Sequence, residues 1–217
     1  MSSVSSTTRK AAGWSTAPVK RRAPYAEAAR ALLQDTLFDA ARHELSLRSW
    51  SEVTMADIAA SAGVSRQTLY KAFGSREAFA QALVLREADR FLTAVQEAMD
   101  AHREHPQQAL EAALDLFLTA AAEDPLVRAA VTGSGEMLPL ITTQGKPLVE
   151  HSAERLCAAI TARWPRAPQH DAALLAECLV RLAISYIALP SGSTGATARS
   201  ISELLAPYIE RALGEDR

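Results

Sequence analysis

The apolar residues of this 217-residue chain recur at three- and four-residue intervals almost throughout, the period of helices buried along one face. From Ala26 to about Leu47 the stripe is Leu33, Leu37, Ala40, Ala41 and Leu45, with Arg30, Asp35, Arg42 and Glu44 between. A long helix is expected from Arg76 to about Arg103, with Phe79, Leu83, Phe91, Leu92, Val95 and Met99 turned inward. After Pro106, which suits a first helical turn, Leu110, Leu114, Phe117 and Leu118 predict a helix ending at Asp124, and Pro125 opens a short one to Val131. Residues 132–147 interleave three glycines and two prolines with Met137, Leu138, Leu140 and Ile141, an irregular connection that either lines a cavity or packs on the core. Three further helices follow, at roughly 146–164, 170–189 and 196–213, with Pro207 expected to kink or restart the last. The second of them is apolar on more than one face, through Leu174, Leu175, Leu179, Val180, Leu182, Ile184, Tyr186 and Ile187. One side can meet its own domain and the other a partner subunit, so the last two long helices are expected to pair across a two-fold axis as a four-helix bundle. The fold class is all-α, with about nine helices.

Between the first stripe and the long helix lies the stretch TMADIAASAGVSRQTLYKAFG, residues 54–74. Thr54 with Asp57 has the capping-box spacing and starts one short helix, Gly63 ends it, and Ser65 caps a second that runs to about Phe73. Ile58, Ala59, Ala62, Val64, Leu69 and Phe73 can face one interior, closed by Trp50 and Val53. This is a helix-turn-helix. Arg66, Gln67, Thr68, Tyr70 and Lys71 are left on the outer side of the second helix, where such a motif meets the major groove. Arg and Lys suit guanine, Gln suits adenine and the Thr methyl can touch thymine, each good bidentate pair giving about 1–3 kcal/mol of discrimination.

The run VSRQTLYKAFGSRE, Val64 to Glu77, resembles the helix-turn-helix of the TetR (tetracycline-repressor-like) family, with its Val-Ser, Leu-Tyr and Phe-Gly-Ser-basic pattern. It departs from the commonest form at Arg76, where Lys is usual, and at Phe79, where Leu is usual; both changes keep charge or apolarity. The resemblance implies an amino-terminal three-helix DNA-binding domain over 26–76 and a helical ligand-binding and dimerisation domain over 77–217. It implies a phosphate contact for Tyr70 and for Thr54, and contacts to bases or nearby phosphates for Arg66, Gln67, Thr68 and Lys71; Ser65 and Arg76 complete the expected DNA-contact set. The implied protein is a homodimeric regulator, in the first instance a repressor, on palindromic double-stranded operator DNA. Its long helix would be a lever carrying motion from a ligand cavity to the recognition helices.

Charge distribution fits that division. Residues 1–76 hold 11 Lys or Arg against 6 Asp or Glu, a net +5, and residues 77–217 hold 12 against 19, a net −7. Residues 1–25 are rich in Ser and Thr, contain Arg9, Lys10, Lys20, Arg21 and Arg22 and no acid, and are expected to be a disordered basic arm that either enters a minor groove or stays a solvated tail. Cys157 and Cys178 lie in apolar helical stretches without metal-ligand spacing and are expected to be buried free thiols. No apolar run spans a bilayer and no secretory core is present, so no membrane partner and a cytoplasmic location are expected.

Catalytic arrangements are absent. His102 and His105 before Pro106, and His151 with Glu154 on one helical face, lack the additional ligands of a metal site, and there is no phosphate loop, paired-cysteine motif or nucleophile elbow. No enzyme, metal or cofactor is expected, and the alternative function is a helical carrier of apolar ligands without DNA affinity. The basic exposed face of the recognition helix separates the two. The body's aliphatic content points to a mainly apolar small ligand, with Phe91, Val95, Met99, Leu114, Phe117, Leu118, Met137, Leu138, Ile141, His151, Leu182 and Tyr186 as candidate pocket residues and Glu136, His151, Arg181, Ser185 and Tyr186 as polar anchors. A loose similarity to family members controlling alkane-oxidation or lipid-transport genes implies a long-chain fatty acid or related lipid as inducer.

Overall fold

The computed structural model describes residues 25–132 and 137–213, and shows ten helices and no strand among them. The expected basic arm lies outside the described residues, apart from Tyr25, which opens the first helix. In chain order the helices are α1 (Tyr25–Leu47), α2 (Met55–Ser61), α3 (Arg66–Phe73), α4 (Arg76–Asp100), α5 (Pro106–Glu123), α6 (Pro125–Thr132), α7 (Leu138–Ile141), α8 (Lys146–Arg163), α9 (Gln169–Ala188) and α10 (Thr194–Leu213).

Local chemistry accounts for the head. Thr54 accepts from the Asp57 backbone N–H at 3.2 Å while the Asp57 carboxylate accepts from the Thr54 N–H at 2.9 Å, a reciprocal cap for α2. Gly63, at φ 68°, lets the Val64 N–H reach the Ala59 carbonyl at 2.9 Å and its own N–H reach Ala60 at 3.0 Å, which closes α2 with both bonds of a Schellman motif. Gly74, at φ 82°, ends α3 in the same left-handed half of backbone space. The head core then closes on aromatic rings: Phe73 meets Phe79 edge-on at 4.9 Å, Phe38 lies 5.4 Å from Phe73, and Trp50 stacks parallel to Phe79 at 6.5 Å.

Phe79, Ala80, Leu83 and Val84 of α4 belong to this same core, as do Leu126 of α6, Met137 and Leu148. The head therefore rests on the first turns of α4 and, through α1, on α6. In the body α5 packs between α4 and α10, and α8 between α4 and α9. At 25 residues, α4 is about 37 Å long and enters both cores.

Three expectations are revised. The long helix stops at Asp100, short of Arg103, because the chain turns through His102 and His105, whose N–H groups bond the carbonyls of Met99 and His102. The irregular connection contains one turn of helix, α7, with Pro139 inside its first turn. Helix α10 runs through Pro207 without restarting.

Candidate nucleic-acid interface and ligand cavity

Helix α3 presents a single outward face. Ser65 caps it by accepting from the Thr68 N–H at 3.1 Å, and Leu69, fully buried, anchors the opposite side. Arg66, Gln67 and Lys71 are exposed, and Arg66 lies over the Tyr70 ring at 5.2 Å with a terminal nitrogen 3.5 Å from the Tyr70 hydroxyl. Positions 66, 67, 70 and 71 are thus neighbours on one helical surface. Tyr70 is half-buried, with its ring against the head core and its hydroxyl toward that surface.

The remaining residues expected at DNA are engaged inside the protein. Thr68 shares a 2.8 Å hydrogen bond with Ser65 across the cap, and Thr54 is held by Asp57, to which it also donates at 2.7 Å. The two bonds from Thr54 draw the Asp57 carboxyl below the usual carboxylate range. Arg76 departs furthest from expectation. Its guanidinium sits 4.2 Å over the Trp50 ring and donates to the backbone carbonyls of Trp50 and, at 2.6 Å, Val53. A side chain held in this way ties the α1–α2 connection to α4.

The body holds an apolar cavity, open at its mouth and walled by α4, α5, α6, α7, α8 and α9. Phe91, Val95, Leu114, Phe117 and Ile141 line it as expected residues, with Phe91 and Phe117 meeting edge-on at 5.5 Å. Leu92, Leu110, Leu126, Val127, Leu156, Leu179, Val180, Ala183, Ile184 and Ile187 supply further wall. Among the described residues, Glu87 and Ser152 alone bring side-chain polar atoms to the wall.

Seven expected pocket residues lie elsewhere. Met99 is buried in the body core beyond the cavity, and Met137 is buried on the head side. Leu118 and Tyr186 line a smaller neighbouring cleft, and Leu138 lies on α7 away from the wall. Leu182 packs on the body core. His151 turns outward to Asp89, 2.6 Å away. Adjacent residues on a helix differ by about 100° in direction, so Ser152, Ala183 and Ile187 face the cavity where His151, Leu182 and Tyr186 do not. Of the expected anchors, Arg181 pairs with Glu177 at 2.7 Å in solvent, Ser185 is exposed, and Glu136 lies outside the described residues. Cys157 is buried as expected, whereas Cys178 is exposed on α9. Among the described residues no group of three metal-ligating side chains occurs.

Sequence reasoning missed the charged ring above the cavity. Arg42 of α1 donates to Glu87 Oε2 at 2.5 Å and to Asp124 Oδ2 at 2.6 Å, and Arg90 of α4 donates to the same two oxygens at 2.9 and 2.6 Å. Asp124 Oδ1 in turn accepts from the Leu126 and Val127 N–H groups and so caps α6. Glu87 and Asp124 are buried, and each charge has two opposite neighbours. Apart from the Glu87–Arg90 pair, three residues apart on α4, the partners stand 34 to 82 residues apart in sequence, so no local pattern announces the ring as a whole.

Residues 37–83 match the family described as "Bacterial regulatory proteins, tetR family", and residues 105–207 match "Bacterial Tetracyclin repressor, C-terminal domain". The chain is 41% identical over 197 residues to the HTH-type transcriptional regulator AlkX of Mycobacterium tuberculosis (strain ATCC 25618 / H37Rv), covering 90% of this chain and 93% of that protein. Among solved structures it is similar to the TetR family repressor AlkX from Dietzia sp. strain DQ12-45-1b, implicated in biodegradation of n-alkanes, with TM-score 0.76 and 37% identity over 83% of this chain and 96% of that one. A TetR-family transcriptional regulator from Pectobacterium atrosepticum shares the fold at TM-score 0.61 and 20% identity, over 88% and 98% of the two chains.

Two outcomes are expected from this geometry. Gln67→Ala should relax preference at one base position in a randomised-site selection, whereas Tyr70→Phe should weaken all duplexes alike in gel-shift titrations. In the body, burial works to raise the Asp89 carboxyl, but bonds from His151 and Arg155 outweigh it and hold it low. A carboxyl lowered by folding adds stability above its unfolded pKa and gives it up as pH falls toward the folded value. Asp89→Asn should therefore flatten the acid limb of a denaturation-versus-pH profile.

Proposed function

We propose that this chain, which belongs to the TetR family of bacterial regulatory proteins, is a homodimeric repressor released from palindromic operator DNA by a long-chain lipid. As a member of that family it is a DNA-binding transcriptional regulator and not an enzyme. Two copies of α3 would enter successive major grooves about 34–36 Å apart. Arg66, Gln67, Tyr70 and Lys71 meet the duplex, with Thr54, Ser65 and Thr68 positioned by their caps at its edge. The work is done in the cytoplasm, where the operator is. Genes of alkane or lipid metabolism are the proposed targets, supported by the alkane-degradation role ascribed to the Dietzia repressor.

Dimerisation is assigned to α9 and α10. Leu174 and Leu204 stand 44% and 75% exposed on these helices, more apolar surface than a monomer needs to show water. No helix among the described residues is long and apolar enough to cross a membrane, so a second subunit is the natural cover for that surface.

The observation that carries the release mechanism is the position of Glu87. It lines the cavity and is bonded to Arg42 on α1, the helix that packs on α2 of the head. Leu126 and Val127, whose N–H groups are capped by the same ring, also line the cavity. A ligand that moves this wall moves the seat of α1. It must favour the non-binding form, and a tenfold loss of operator affinity needs about 1.4 kcal/mol of coupling.

Titrating long-chain fatty acids and alkanes against a protein–operator complex should release the DNA. A saturating lipid bound in the cavity with the complex intact would reject that lipid as inducer. Leu204→Glu should give monomers in sedimentation and cost most of the operator affinity. Arg42→Met, which keeps the stem and removes the charge, should leave lipid affinity within about threefold while reducing lipid-dependent release at least about tenfold.

A further inference from the structure

We infer that the cavity accepts its ligand through an uncharged, hydroxyl-bearing end: an aliphatic chain finishing in an alcohol, or in a carboxylic acid carried in its neutral form. The inference rests on the cavity being the inducer site and specifies what chemistry that site recognises.

Among the described residues, the side-chain polar atoms that line the cavity belong to Glu87 and Ser152. Both arginines of the ring bond Glu87 through Oε2, and Oε1 has no hydrogen-bond partner among the described residues. Ser152 is 6% exposed, lines the cavity, and its hydroxyl likewise has no partner among the described residues. The fully enclosed orphan polar atom among the described residues is Arg163 Nε, so the open oxygens of Glu87 and Ser152 adjoin space. They stand at the same level of two packed helices, since Asp89, two residues past Glu87, touches His151, the residue before Ser152.

An anionic acceptor facing an apolar cavity calls for a donor. A ligand O–H satisfies Glu87 Oε1, and Ser152 can donate to the ligand oxygen. A carboxylate brings no proton, meets the Glu87 charge, and finds no Lys, Arg or His among the described residues of the wall. The groups facing Glu87 are Arg42 from α1, Arg90 on its own helix and Asp124 between α5 and α6, and both arginines are already shared between the two carboxylates.

The test uses the full-length protein and four probes of one chain length: dodecane, 1-dodecanol, dodecanoic acid and methyl dodecanoate, titrated by calorimetry at about pH 6 and about pH 8. The alcohol should bind about tenfold more tightly than the alkane or the ester, and equally at both pH values. The acid should bind about a hundredfold more tightly at the lower pH, because its neutral fraction falls tenfold with each pH unit above its pKa. The alcohol reports any titration of the protein itself. Ser152→Ala should weaken the alcohol and the acid about tenfold and leave dodecane unchanged. A fatty acid binding as tightly at the higher pH, an ester matching the alcohol, or indifference of the alcohol to Ser152→Ala would overturn the inference. Equal binding of all four would overturn it while the inducer-cavity reading stands; binding of none would overturn both.

Discussion

Two buried carboxylates, Glu87 and Asp124, require counter-charges, and the arginines that supply them come from different parts of the molecule. Burying a carboxylate without a partner costs several kcal/mol, so Arg42 and Arg90 are obligatory once the helices pack as they do. That requirement fixes α1 against α4 and the start of α6 in a way that apolar contacts alone would not. A guanidinium forked between two carboxylates has one geometry, a directional constraint that non-directional apolar contacts do not supply. The ring also holds formal charge neutrality where, among the described residues, charge adjoins the cavity.

The same constraint makes the ring suited to reporting on the cavity. Its four charges bond one another closely, and two of its consequences, the Glu87 side chain and the capped start of α6, are pieces of cavity wall. Displacement there is resisted on one side by the ring and on the other by the head core, to which Leu126 also contributes. A rearrangement that preserves all four pairings must carry Arg42, and therefore α1, with it. The Phe38, Trp50, Phe73 and Phe79 cluster and the Arg76 anchor on Trp50 hold α1 to α3 together with the first turns of α4, the helix that carries two of the ring's charges.

Much of this was legible in the chain because local rules decide it. The Thr54–Asp57 cap, the Gly63 turn and the Ser65 cap are contained within a dozen residues, and periodicity alone placed the long helices. Legibility failed where a residue's partner is distant or where a one-position offset matters. Arg76 reads as a phosphate ligand by charge, yet Trp50 and Val53, brought near by folding, take it. On α8 and α9 the stripe is wide enough that periodicity admits His151, Leu182 and Tyr186 as readily as Ser152, Ala183 and Ile187, and only the docking of neighbouring helices selects the second set. The ring is the extreme case, since Arg42, Glu87, Arg90 and Asp124 look like ordinary surface charges in sequence.

Whether an apolar ligand can drive the switch is a question of magnitudes. Each methylene moved from water to an apolar wall contributes about 0.8 kcal/mol. A tenfold shift in operator affinity needs about 1.4 kcal/mol of difference between the two forms, so two methylenes better buried in the non-binding form suffice. The wall carries apolar side chains from six helices, far more surface than two methylenes cover. Most of the binding energy can therefore be common to both forms and set affinity, while the small part felt at Leu126, Val127 and Glu87 sets response. Under the proposed release mechanism, tight binding and strong induction are then separable properties, because a ligand that fills the lower cavity without reaching the ring would bind both forms alike and shift nothing.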